Sequence, residues 1–174
     1  AYPGYTDAEE TEITTVEFYF NQGSSFLRGS EKKSDRGENF SAFLAEKNVT
    51  KGVNIIGAHS PEGSTKVNEA LAAKRSTTIE KYYRAEMDKY DYKDEAANIG
   101  FKLVPVVENW DALRNALKNS DVVSSADESQ ILAIINGGGS FVDKEKSLSK
   151  LSSYKSLLGE VYPDLRNAQT EVTT

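Results

Sequence analysis

The chain of 174 residues contains no cysteine, one histidine and one tryptophan. Without cysteine it can form neither a disulfide framework nor a thiolate metal site. It also lacks a run of about 18 consecutive apolar residues, so no segment is expected to span a membrane as a helix. The net charge of -6 disfavours nucleic acid and anionic lipid surfaces as main partners. What is present, 38% hydrophobic and 28% charged residues, is typical of a globular domain.

The sequence offers little for catalysis or for metal binding. His59 lies beside Ser60, but adjacent residues on a strand point to opposite faces, so the two are poorly placed as a base and its nucleophile. No His/Cys cluster is present, and the glycines at 137–139 lack the Lys-Ser/Thr that completes a phosphate loop. We therefore predict a protein that is not an enzyme, and we expect no cofactor and no metal.

Hydrophobic periodicity predicts an α+β fold. Pro105 cannot donate to a strand ladder, which favours an edge position or a strand end for the third strand. Residues 1–12 are rich in Gly, Pro and acidic side chains and are predicted to be a linker or tail, with a single domain at 13–174. The predicted strands are 14–21, 53–59, 100–107 and 165–172, and the predicted helices before the third strand run from 35 or 36 to about 47 and from 68 to about 90, with mostly loop at 22–37.

The stretch from about 110 to 162, before the last strand, is predicted to be helical. Asn109 is placed as the cap of its first helix, and Ser125 begins the spacing of a capping box before the second. The glycines at 137–139 end that second helix, and a further helix from about Asp143 is stopped by Tyr162-Pro163. The apolar faces of these helices consist of Trp110, Leu113 and Leu117, then Ile131, Leu132, Ile134 and Ile135, then Leu148, Leu151, Leu158 and Val161.

An arginine lies at the centre of the predicted apolar stripe of the long helix. At about 100° of rotation per residue, Arg75 falls between Leu71 and Ile79, with Asn68 near the same line. A guanidinium cannot be neutralised by losing its proton, so a buried one needs a partner. Arg75 either extends to a sheet edge or pairs with a structural carboxylate, or it receives an anionic group beside the strand-to-helix turn. The predicted solvent face consists of Glu69, Lys74, Ser76, Thr77, Glu80, Lys81 and Arg84.

The turn and the helix together carry a family resemblance. An apolar strand ends in the motif Gly-Ala-His-Ser at 57–60, Gly63 follows, and Asn68, Leu71 and Arg75 come next. At these spacings the segment resembles the OmpA-like peptidoglycan-binding domain of Gram-negative envelope proteins, the family of the OmpA C-terminal, Pal and MotB-like domains. The Ser-Pro-Glu-Gly turn is similar to the form found in Bacteroidetes.

The resemblance implies a ligand-binding site. In the family, an aspartate of the turn and the helix arginine hold the amino and carboxylate groups of meso-diaminopimelate in the peptidoglycan stem peptide. Arg75 matches that arginine, while Ser60 occupies the aspartate position and Glu62 is the candidate to replace its charge. Arg166 matches an arginine at the start of the family's final strand. The implied ligand-binding residues are Ser60, Pro61, Glu62, Gly63, Asn68, Arg75 and Arg166.

The resemblance also implies a fold and two alternative functions. The fold is a βαβαβ core with a mixed sheet of about four strands, helices on one face, and a helical insertion before the last strand. The first function is a non-catalytic periplasmic domain, associated with the outer membrane, that binds the diaminopimelate-type stem peptide and anchors an outer-membrane protein or complex to the cell wall. The alternative is a degenerate domain that serves as a protein-interaction scaffold in the envelope, with the insertion as its contact surface. Ser60 favours the second function, whereas Asn68 and Arg75 favour the first.

Overall fold

Residues 11–106 and 108–174 are described by a computed structural model, the side chain of Lys93 excepted. In that part of the chain the fold is α+β, as predicted. The strands are β1 (Ile13–Tyr19), β2 (Gly52–Gly57), β3 (Phe101–Pro105) and β4 (Asn167–Thr173). The helices are α1 (Gly29–Lys32), α2 (Asp35–Ala45), α3 (Thr65–Lys89), α4 (Lys93–Asn98), α5 (Trp110–Lys118), α6 (Ser125–Asn136), α7 (Phe141–Leu148) and α8 (Tyr154–Ser156), followed by a π-helical turn (Leu157–Val161) and a 3-10 turn (Tyr162–Leu165).

The four strands form one mixed sheet in the order β1-β4-β2-β3. The strand β4 comes last in the chain but lies inside the sheet, antiparallel to both β1 and β2. The edge strand β3 runs parallel to β2 and ends on Pro105, in agreement with the prediction from that proline. Most of the predicted linker, residues 1–10, lies outside the described residues, but Glu12 exchanges backbone hydrogen bonds of 3.0 and 2.9 Å with Thr174.

One face of the sheet packs against α2 and α3. Phe18 of β1 meets Phe40 of α2 with ring centroids 5.7 Å apart, and Phe40 meets Tyr83 of α3 at 5.2 Å. The alternation predicted for the last strand is confirmed, because Ala168, Thr170 and Val172 are all buried on this face. Burial of these large side chains is the main source of stability for such a layer.

The residues between β3 and β4, which we call the insertion because they separate these two strands in the sequence, build a second hydrophobic cluster of their own. Helices α5, α6 and α7 and the turns after α8 all contribute buried side chains to it. Its buried members are Trp110, Leu113, Leu117, Ile131, Ile135, Phe141, Leu148, Leu157, Val161, Tyr162 and Leu165. Within residues 11–106 and 108–174, no helix combines the length and the hydrophobicity needed to cross a bilayer.

Several helix boundaries differ from the prediction. Helix α3 begins three residues before Asn68, because the Ser64 hydroxyl caps it by accepting a hydrogen bond of 3.2 Å from the Val67 amide. Helix α6 is likewise capped by Ser124 rather than Ser125. Asn109 stands at the cap position of α5, but its side chain makes no cap hydrogen bond.

The helix predicted from about Asp143 is also different, because it is divided into several pieces. Helix α7 starts at Phe141 and ends at Leu148, and the chain then continues through α8 and the two turns. Pro163 does not stop a helix there, because it sits near the start of the 3-10 turn, where its missing N–H has no intrahelical partner to lose.

The buried face of α3 is rotated from the predicted one. Ser76, which was placed on the solvent face, is buried, whereas Val67, placed on the apolar stripe, is 58% exposed. The cause is a close approach of β2 at Gly57, where an added Cβ would lie 1.9 Å from the Ala72 carbonyl oxygen and 3.1 Å from the Ser76 amide nitrogen. Small residues must therefore face the sheet at this contact. Arg75 lies at one edge of the buried stripe rather than at its centre.

Candidate functional site

The predicted site is the turn from Ala58 to Ser64 between β2 and α3. Residues 58–61 are buried, whereas Gly63 and Ser64 are exposed. Gly63 has φ +97°, a left-handed conformation that favours glycine, and the position of a Cβ there would be 3.1 Å from the Asn68 amide oxygen. Asn68 therefore packs directly beneath the turn, as the spacing of the motif requires.

The guanidinium of Arg75 is completely buried, and it contacts backbone carbonyls instead of an anion. Its Nε donates to the Ser24 carbonyl at 2.9 Å, its Nη1 to the Ala58 carbonyl at 2.8 Å, and its Nη2 to the Asn21 carbonyl at 3.1 Å. Its charge also lies 5.3 Å from the ring centroid of Phe20. Burial, with the neighbouring charge of Arg166, lowers the pKa of Arg75 to about 10. Arg75 thus joins the chain after β1 to the end of β2.

Arg166 is the arginine that contacts the turn side chains. It lies immediately before β4, and its Nε donates to the Ser60 hydroxyl oxygen at 3.1 Å. Its Nη2 forms an ion pair of 2.8 Å with Oε1 of Glu62. Both side chains are largely buried, with 8% and 18% of their surface exposed. Ser60 therefore accepts a hydrogen bond from Arg166, and Glu62 supplies the negative charge of the turn.

Three buried polar atoms at this turn have no hydrogen-bond partner among the described residues. They are Nε2 of His59, Oε2 of Glu62 and Nδ2 of Asn68. Nδ1 of His59 lies 2.8 Å from the Ser60 carbonyl oxygen, which can only accept, so Nδ1 carries the proton and Nε2 is an acceptor. Two acceptors and one donor are thus left unsatisfied, and such groups are costly unless a ligand or water meets them.

The helical insertion covers the inner side of the turn. Phe141, the first residue of α7, meets the ring of His59 edge to face with centroids 5.7 Å apart. His59 is only 1% exposed, and this burial lowers its pKa from the usual 6.5. The site is therefore bordered by the turn, by the start of β4 and by the insertion.

A buried carboxylate of the insertion faces the same region. Glu145 of α7 accepts hydrogen bonds from the hydroxyls of Tyr154 at 2.5 Å and Tyr162 at 2.7 Å. Burial raises the pKa of Glu145, and the charge of Glu62 raises it further. Glu145 was not predicted as a site residue from the sequence. Like Arg75, Glu145 is a charged residue on the apolar face of a helix, and this could be seen in the sequence. It lies four residues after Phe141 and three before Leu148.

The comparisons with known proteins leave the family open. No family model matches the chain. A search of curated proteins finds no match either. The resemblance to OmpA-like domains therefore rests on the sequence motif at 57–75 alone.

Most of the predicted site residues are brought together by the fold. Ser60, Glu62 and Arg166 contact one another, and Asn68 packs against Gly63. Pro61 is buried within the turn. Arg75 lies beside this group, but its guanidinium donates to backbone carbonyls and to none of these side chains among the described residues.

Proposed function

We propose that this chain is a non-catalytic envelope domain of the OmpA-like type that binds the peptidoglycan stem peptide. It would thereby anchor an outer-membrane protein or complex to the cell wall from the periplasmic side. The observation that carries the proposal is the pairing of Glu62 with Arg166 at the β2–α3 turn, next to an unpartnered oxygen of Glu62 and an unpartnered amide of Asn68.

The chemistry of diaminopimelate fits these groups. The end of its side chain carries an ammonium and a carboxylate on one carbon. Glu62 supplies a charge for the ammonium, with Nε2 of His59 as a second acceptor. Arg166 supplies a charge for the carboxylate, with Nδ2 of Asn68 as a second donor. The ligand's two charges replace the internal ion pair, so neither protein charge is left buried alone.

In this proposal Arg75 has an indirect role. Its guanidinium holds the Ala58 carbonyl and thereby the first residue of the turn. It also adds positive charge near Arg166 without contacting the ligand. Ser60 supports the basic half of the site through its hydrogen bond to Arg166, so the missing aspartate is replaced by Glu62 rather than by Ser60.

The second candidate is the protein-interaction scaffold. Two observations favour it: the full burial of Arg75, and the packing of Phe141 over His59, which covers the turn with the insertion. In a scaffold the Glu62–Arg166 pair is a structural contact, and the stem peptide does not bind.

Co-sedimentation with purified sacculi, followed by calorimetric titration with a diaminopimelate-containing stem tripeptide, separates the two candidates. We expect the wild type to co-sediment and Glu62→Gln to lose about tenfold or more in affinity, because a charge-assisted hydrogen bond is worth about 1.5–3 kcal/mol. The matched control is Glu69→Gln, an exposed glutamate near the start of α3, which should bind as the wild type does. The tripeptide in which lysine replaces diaminopimelate lacks the second carboxylate and should bind more weakly.

Failure of the wild type to bind either sacculi or the tripeptide would reject the anchoring function and leave the scaffold. Equal binding by wild type and Glu62→Gln would remove Glu62 from the site.

A further inference from the structure

A second candidate site lies on the face of the sheet opposite to the core. A groove of about 580 Å³ separates this face from helix α5. Its lining includes five side-chain carboxamides, which belong to Asn109, Asn115, Asn119, Asn167 and Gln169. This volume is within the range of about 300–1,000 Å³ that is usual for small-molecule sites. We call it the amide groove.

The groove exists because α5 packs its apolar side away from the sheet. Trp110, Leu113 and Leu117 point into the cluster of the insertion. Ala112 and Ala116 line the groove, and their small side chains leave room between Asn115 and Asn119. The helix therefore borders the sheet across a space lined by hydrogen-bonding groups.

The charges of the lining disfavour an anionic ligand. Glu17 and Asp164 both line the groove, and none of its described lining residues is a lysine, arginine or histidine. The hydroxyl of Tyr19 donates to Glu17 at 2.9 Å, and burial, together with this hydrogen bond, raises the pKa of Tyr19 to about 12. Tyr19 is therefore a neutral hydroxyl beside two carboxylates.

Apolar ligands and metals fit no better. The amide groups of Asn167 and Gln169 already donate within the protein, at 2.9 Å to the Asp164 carbonyl and at 3.2 Å to Glu171. An apolar ligand would strip water from the other three carboxamides without giving them hydrogen bonds. The described residues contain no group of three or more His, Asp or Glu side chains that could hold a metal ion. The ligand that matches the lining is neutral and rich in hydroxyls, because each hydroxyl both donates and accepts, as each carboxamide does.

We propose that the amide groove between the sheet and α5 binds a neutral saccharide. The carboxamides of Asn115 and Asn119 exchange hydrogen bonds with ring hydroxyls, and the carboxylates of Glu17 and Asp164 accept from them. The proposal is independent of stem-peptide binding, because none of the side chains assigned to the stem peptide lines the groove.

The test is an NMR titration of isotopically labelled protein with three probes: N,N′-diacetylchitobiose, maltose and tri-lysine. We expect saturable shifts of the backbone amides of Asn115, Asn119 and Gln169 with at least one of the two saccharides. The double variant Ala112→Phe/Ala116→Phe fills the groove and should weaken this binding at least tenfold. Ala126→Phe, which adds the same side chain at an exposed position of α6, should leave it unchanged.

If the double phenylalanine variant fails to fold, Asn115→Leu/Asn119→Leu replaces it, since both asparagines are exposed. Its shifts with the saccharide should disappear while its urea midpoint stays near that of the wild type. The proposal is overturned if neither saccharide gives saturable shifts, or if tri-lysine alone does, because the groove is then a cation site built on Glu17 and Asp164. Saccharide binding that both variants retain would also overturn it.

Discussion

The buried guanidinium of Arg75 contacts no carboxylate of the described residues. It donates to the carbonyls of Asn21, Ser24 and Ala58, which belong to two separate segments of the chain. A lysine could not reproduce this, because the contacts depend on the planar fork of the guanidinium. The motif predicts Arg75 as a ligand contact. In the structure its guanidinium connects the chain after β1 to the turn.

We predict that Arg75→Ala destabilises the fold by about 1–3 kcal/mol or more, since the buried carbonyl of Ala58 loses its donor, whereas the carbonyls of Asn21 and Ser24 belong to residues that water can reach. The measurement is urea unfolding followed by circular dichroism. Lys74→Ala, an exposed cation one residue earlier, should change stability by less than about 0.5 kcal/mol. A stable, folded Arg75→Ala protein that has lost only sacculus binding would return Arg75 to the ligand site.

We also predict that His59 makes stability depend on pH. Its folded pKa is lowered from 6.5, so below pH 6.5 the unfolded chain takes up a proton that the folded chain does not. Stability should therefore fall as pH drops from 7 through this range, by up to about 1.4 kcal/mol per pH unit. Glu145 acts in the opposite direction, because its raised pKa contributes stability that is lost as pH rises through the folded value.

Urea unfolding of the wild type and of His59→Gln, each at pH 7.5 and 5.5, isolates the contribution of His59 to the pH dependence of stability. The wild type should lose more stability than the variant on acidification. Equal losses would mean that His59 takes up its proton as readily in the folded state as in the unfolded one.

At the scale of elements, the contact between β2 and α3 positions the turn. Gly57 and Gly52 lie at the two ends of β2, and only Gly57 touches the helix backbone. We predict that Gly57→Ala destabilises the fold by about 1–3 kcal/mol, because the added methyl must push α3 away. Gly52→Ala, where nothing lies within 4 Å of the new Cβ, should be close to neutral. Urea midpoints of the two variants check this, and equal midpoints would contradict the close approach.

The elements that could be predicted from the sequence are those with a clear period. Alternation located β4 and its buried face, and helical spacing located α2 and α3. The orientation of α3 was predicted wrongly, because hydrophobicity ranks Val67 above Ser76, whereas the approach of Gly57 selects small side chains. At such a contact the neighbouring strand limits the size of the helix side chains, and a helical wheel contains no information about that strand.

Only part of the candidate site could be predicted from the sequence. The spacing of the motif located Ser60, Glu62 and Asn68 around one turn, and the position of Arg166 before the last strand placed it near them. The hydrogen bonds of Arg75 could not be predicted, because its acceptors are backbone carbonyls and any sequence has those. Glu145 was missed although its place on an apolar helix face was visible in the sequence.

At the scale of the whole molecule, the insertion separates β4 in sequence from the other three strands of the same sheet. The strand β4 pairs with both β1 and β2, yet the chain reaches it only after α5 to α8. The insertion contacts the turn through Phe141 and His59, while Arg166, immediately before β4, bonds to Ser60 and Glu62. Unfolding of the insertion should therefore also disturb β4 and the turn.

We predict a single cooperative unfolding transition. Trp110 is the only tryptophan and belongs to the insertion, so its fluorescence reports that cluster. Protection of the Thr170 amide against hydrogen exchange reports the middle of β4, in the core of the sheet. The two probes should give the same free energy of unfolding, because coincidence of independent probes is the mark of a two-state transition. If the fluorescence of Trp110 changes at lower urea while Thr170 stays protected, the insertion is an independent unit, and its packing over the turn is then free to open for a ligand.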